Sequence, residues 1–210
     1  MEYGTLLGDS FEYTKECLVG KWMKWILLII CSIIFPLIYG YAMRIYKGAT
    51  PAPELENWGG LFIDGIKLLI VGIVYFIPVF IVAFLVVGGS ALSGIAGGDV
   101  AALGAMGIGM LVLVVLTIII ALIVPIAYIR FARMESFGEA FNFGAIFEHI
   151  GKIGWIDYII AILIMGIVLG IIQFILMLIP ILGQLLLFIL MPAFIIFAAR
   201  YMTLVYDNAA

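Results

Sequence analysis

From Lys67 to Arg130 the chain carries a single charged side chain, Asp99, and from Asp157 to Arg200 it carries none. Such stretches cannot coat a water-soluble domain, whose surface needs interspersed charge to stay dispersed. They suit a bilayer, because about 20 apolar helical residues cross a hydrocarbon core of ~30 Å with every backbone group bonded inside the helix. Composition agrees, with 67% of the 210 residues hydrophobic and 11% charged. The fold class expected is all-α: an integral membrane helical bundle of about five transmembrane helices, with amphipathic helices at the interface.

The spans are expected over residues 22–43, 66–87, 105–129, 155–178 and 182–202, the last two joined by a hairpin at Pro180 and Gly183. A glycine-rich loop is expected over 88–104. Residues 1–21 are set apart as an N-terminal amphipathic segment, and 22–210 as the transmembrane domain. Within that segment Asp9, with Glu12 three positions on, reads as the N-cap of a short helix whose apolar face holds Phe11, Tyr13, Cys17 and Leu18. The apolar run at 25–43 is too long for a signal-peptide core, lacks a small-residue cleavage site, and reads as a retained span. Cys17 and Cys31 read as buried free thiols.

One phrase occurs twice. ENWGGLFIDGIK at 56–67 and NFGAIFEHIGK at 142–152 align Trp58 with Phe143, Gly59 with Gly144, Phe62 with Phe147 and Lys67 with Lys152. Each reads as an amphipathic helix lying along the interface before the chain turns into the membrane. A second echo is the spacing Pro36–Arg44, Pro125–Arg133 and Pro192–Arg200. Eight helical residues rise about 12 Å, so each proline is expected at a common depth, its kink facing the protein interior. Together these suggest a parallel internal duplication of a helical hairpin, followed by an extra helix.

Lysine and arginine are absent from the two loops expected at 88–104 and 179–183, which assigns the arginine-bearing side to the cytoplasm. Lys15, Lys21 and Lys24 conflict with this, since five full spans place the N-terminus outside. A re-entrant or broken segment around Pro36 would remove the conflict; five full spans are the preferred reading.

Chemistry is sparse. No ionisable residue sits near the middle of a span, where it would mark an ion or proton path. His149 is the sole histidine, so a two-histidine metal motif is excluded, and GGSALSG at 88–94 lacks nucleophile-elbow spacing. No catalytic, cofactor or metal residue is assigned, and the protein is not expected to be an enzyme. Candidate headgroup or interfacial contacts are Arg44, Lys67, Arg133, Lys152 and Arg200. Candidate helix-packing positions are Gly166, Gly170 and Gln173, the glycines forming G-x-x-x-G.

GYAMRIYKG at 40–48 and ENWGGLFIDGIKLLIVGIVYFIP at 56–78, with YIRFARMESFGEAFNF at 128–143, resemble an archaeal family of multi-pass membrane proteins, domain of unknown function 4013. Tyr75 and Pro78 match that family's Tyr-x-x-Pro ending; Pro53, Glu54, Glu56 and Asn57 depart from its usual context before Trp58. The resemblance implies an archaeal cell membrane and this general fold, with no activity and no site residues to transfer. The expected role is non-enzymatic: handling lipids or small solutes, or supporting a membrane complex. The alternative is a transporter or channel with a path between kinked helices. Expected partners are membrane lipids and a second copy or a membrane complex, with no nucleic acid.

Overall fold

The structure, a computed structural model, describes residues 1–209 and their side chains except at 93, 94, 96, 97 and 101. The described residues form helices and no strand: α1 (Tyr3–Leu18), α2 (Trp22–Ile33), α3 (Phe35–Tyr46), α4 (Trp58–Met134), α5 (Phe137–Ala140), α6 (Phe143–Ile153), α7 (Trp155–Met177) and α8 (Leu182–Asp207). Among the described residues four segments are each long and apolar enough to cross a membrane: Trp58–Leu92, Gly98–Met134, α7 and α8. The all-α membrane-bundle reading stands.

The span expected at 22–43 is present as a broken pair. Helices α2 and α3 are bent by 119° at Ile34, whose φ of −96° and ψ of 83° leave the helical region. Pro36 explains why the break falls here. It has no N–H to offer the Ser32 carbonyl, yet it fits the first turn of a new helix, where no N–H partner is needed. Twelve residues on each side rise only ~18 Å, so neither half crosses a ~30 Å core alone. The three prolines accordingly differ: Pro36 starts a helix, Pro125 lies half-buried in α4, and Pro192 is buried inside α8.

Two compact units make up the chain: residues 1–69 with the chain from Pro125 onward, and Ile70–Val124. In the second unit the two arms of α4 turn at Gly98 (φ 78°, ψ −174°), a conformation that favours glycine. Helix therefore occupies much of the stretch expected as a loop over 88–104. The arms meet where Val86 fills the side of Gly109. They also enclose an apolar hollow of about 500 Å³ lined by residues such as Pro78, Val82, Leu111 and Val115.

The first unit holds the main core, in which Tyr13, Cys17, Leu28, Cys31, Ile38, Tyr41 and Ile196 pack together. Helix α1 begins at Tyr3, six residues before the expected cap, so Asp9 lies within it. Its face Leu6, Ser10, Tyr13, Cys17 follows helical spacing and packs against the protein, chiefly α8, while Phe11 is exposed. Both cysteines are buried and free.

The repeated phrase has a matching start and a different end. The Asn57 side chain accepts from the Gly60 N–H at 3.1 Å, and that of Asn142 from the Ala145 N–H at 3.2 Å. Both are N-caps. Leu61, Gly65 and Leu68 are buried in the first copy, and the aligned Ile146, Ile150 and Ile153 in the second. The second copy then stops at Gly154 (φ 96°), and α7 starts afresh. The first has Leu69 at the aligned position and runs on as the first turns of α4, so it is no separate interfacial helix.

Candidate functional site

The site is built on the non-helical loop between α3 and α4, residues 47–57, which polar side chains hold from four helices. From α1, the Tyr13 hydroxyl donates to the Ala49 carbonyl at 2.9 Å. From α3, the Tyr41 hydroxyl donates to the Pro53 carbonyl at 2.8 Å, and Arg44 donates to the carbonyls of Glu54 (3.0 Å) and Glu56 (2.7 Å). From α8, Arg200 donates to the Thr50 hydroxyl at 3.2 Å while stacking over the Tyr13 ring at 4.8 Å. From α2, Lys24 reaches Glu54 at 3.0 Å. Because the Tyr41 proton goes to Pro53, the Cys17 thiol, 3.1 Å away, is the donor to the Tyr41 oxygen. Burial pushes that thiol's pKa up, which keeps it a thiol.

Residues 36, 40, 61 and 65 let α3 approach α4 closely enough to carry this loop. A Cβ at Gly40 would fall 1.8 Å from the Leu61 carbonyl oxygen, and one at Gly65 1.6 Å from that of Pro36. Only glycine fits at either point.

Between the loop and the start of α2 lies an open hollow of about 680 Å³, lined by Gly20, Lys21, Trp22, Met23, Lys24, Leu27, Glu54, Leu55 and Glu56. Lys24 is only 7% exposed, and a buried ammonium needs a counter-ion; Glu54, 59% exposed, supplies it. Lys21 approaches the same carboxylate at 3.9 Å. Trp22 stacks on Trp25 with ring centroids 5.7 Å apart, and the Trp25 indole N–H donates to the Ile189 carbonyl at 3.0 Å. Outward from the hollow, α2 exposes Met23, Ile26, Ile30 and Ile33 as one helical stripe.

Each of the five candidate headgroup cations has a partner within the chain. Arg44 and Arg200 hold the loop. Arg133 pairs with Asp207 at 2.6 Å and lies over the Tyr206 ring. Lys67 meets Asp64 at 3.6 Å, and Lys152 meets Glu148 at 2.9 Å. Gly166 and Gly170 face open space, and Gln173 is exposed. Among the described glycines, close approaches occur at Gly40, Gly65, Gly109 and Gly183. Lys21, Lys24 and Glu54 were not among the sequence candidates, and no local spacing links positions 30 residues apart.

A second polar cluster surrounds His149. Its ring stacks on Tyr206 at 3.7 Å, and Nε2–H donates to the Tyr206 carbonyl at 3.0 Å. Burial holds its pKa below the ordinary value against the opposing pull of the Tyr206 hydrogen bond, with Arg130, Lys152 and Arg133 adding to the lowering. Among the described residues no three His, Cys, Asp or Glu side chains gather as metal ligands.

Among the described residues, four helices long and apolar enough to cross a membrane, a bent half-length pair and a polar loop cap define a helical integral membrane protein. The family of proteins of unknown function DUF4013 matches residues 25–181, and the chain belongs to that family. No curated protein and no solved structure matches it.

Proposed function

We propose that this is a non-enzymatic, multi-pass protein of the cell membrane that holds lipids at its cationic end. The observation that carries this reading is the hollow at Lys21, Lys24 and Trp22, where charged groups adjoin the apolar side chains Met23, Leu27 and Leu55. An amphiphile needs both kinds of wall. Headgroup cations near a membrane surface each add about 1 kcal/mol of attraction. The hollow in the α4 arms supports lipid over an ion path, since its lining has no polar side chain.

Topology follows from the broken pair. If α2 and α3 enter and leave by one face, four spans put both termini, the 47–57 loop and residues 135–154 on one side. All ten lysines and arginines then share that side, which is cytoplasmic by the positive-inside tendency. The conflict raised by Lys15, Lys21 and Lys24 disappears. The test is native mass spectrometry of gently solubilised protein. Retained lipid that is reduced in a Lys21→Gln variant supports the reading; lipid-free protein, or equal retention by both, refutes it.

A further inference from the structure

We propose that the hollow between α2 and the 47–57 loop seats a zwitterionic phospholipid headgroup, its phosphate on Lys21 and its ammonium on Glu56, beside the Lys24–Glu54 pair. This rests on the lipid-holding reading above and names the lipid class. Charge complementarity makes the choice. Two lysines and two glutamates line the hollow, so its formal charges cancel. A purely anionic headgroup would leave both carboxylates facing added negative charge, whereas a phosphate with an amine beside it meets each sign with its opposite.

The individual groups are disposed accordingly. Glu54 is shared by Lys24 at 3.0 Å and Lys21 at 3.9 Å, so the longer contact leaves the Lys21 ammonium, half exposed, with donors to spare. Glu56 is exposed, and among the described residues its carboxylate enters no ion pair. Its main-chain carbonyl is fixed by Arg44, so the carboxylate is displayed from an anchored backbone. Trp22 is 66% exposed and stacks on Trp25, a geometry that leaves its outer ring face for an ammonium. The lipid tail has a continuation: the Met23, Ile26, Ile30, Ile33 stripe leads from the hollow along α2.

The experiment uses the full chain, delipidated in detergent and offered an equal mixture of phosphatidylethanolamine and phosphatidylglycerol with identical acyl chains. Native mass spectrometry reads the lipid retained. Wild type is expected to keep phosphatidylethanolamine over phosphatidylglycerol by about tenfold, the worth of one well-placed charged contact. Glu56→Gln, on the surface and outside the core, should abolish or reverse that preference. Lys21→Gln should lower retention of both lipids, and gel filtration of each variant confirms the fold. Equal or stronger retention of phosphatidylglycerol by wild type overturns the zwitterion assignment and leaves lipid holding intact. Retention of neither lipid above the Lys21→Gln level overturns both.

Discussion

Replacing Gly65 by alanine tests the α3–α4 crossing on which the loop and its hollow depend. In an isolated helix the change stabilises by roughly 1 kcal/mol, since alanine is the better helix former. Here the added methyl lands 1.6 Å from the Pro36 carbonyl oxygen and 2.8 Å from the Gly40 nitrogen, both main-chain atoms. No rotamer change can move them, so the helices must part until 1.6 Å becomes an ordinary contact of 3.4 Å or more. Overpacking of this kind destabilises by about 1–3 kcal/mol or somewhat more, and it outweighs the propensity gain. Gly65→Ala should therefore lose up to ~2 kcal/mol net in reversible unfolding in mixed micelles, and fall below the Gly166→Ala control by about 1–3 kcal/mol. Gly166→Ala, whose methyl meets nothing within 4 Å, is the control and should be neutral or slightly stabilising. A Gly65→Ala protein as stable as its Gly166→Ala counterpart would refute the crossing.

Arg44→Ala frees three loop carbonyls, those of Glu54, Glu56 and Asn57, and should speed proteolysis within 48–57 while removing ~1–2 kcal/mol of stability; lysine should restore only part, having no fork to bridge the acceptors. His149 gives a pH signature. Its folded pKa lies below the ordinary 6.5, so the folded form binds fewer protons; stability is full above pH 6.5 and falls as pH drops through the window beneath it. Glu135, Glu139 and Glu148, held down by hydrogen bonds from Lys47, Arg130 and Lys152, contribute stability that is lost only below their ordinary 4.5. Unfolding measured from pH 7.5 to 5 should thus show a decline that His149→Phe removes; an unchanged decline would contradict this origin.

Helix class and most spans were legible because uncharged runs of bilayer length admit one solution. The Asn57 and Asn142 caps went unread, although each asparagine stands just before an aromatic and a glycine at the start of its helix. What stayed hidden depended on distance or on a choice between local outcomes. Pro36 permits a kink or a new start, and only the Gly40–Gly65 approach, 25 residues apart, shows how α3 is held after turning away from α2. Leu69 against Gly154 decides whether a repeated phrase continues or stops, a difference that alignment of the phrases alone obscures. Lys24 reads as an ordinary flanking cation until Glu54 is seen to neutralise it in the core surface.

The proposal that the bent α2–α3 pair enters and leaves by one face is tested most directly by cysteine accessibility in intact cells. Single cysteines at exposed Glu12, at Asn208 and at Asp99 are made in a chain with Cys17→Ala and Cys31→Ala, and treated with an impermeant thiol reagent. With the pair re-entrant, positions 12 and 208 react only after permeabilisation and position 99 reacts without it. Labelling of position 12 from outside while 208 stays protected would mean that residues 22–46 cross the membrane, and the four-span arrangement would be wrong.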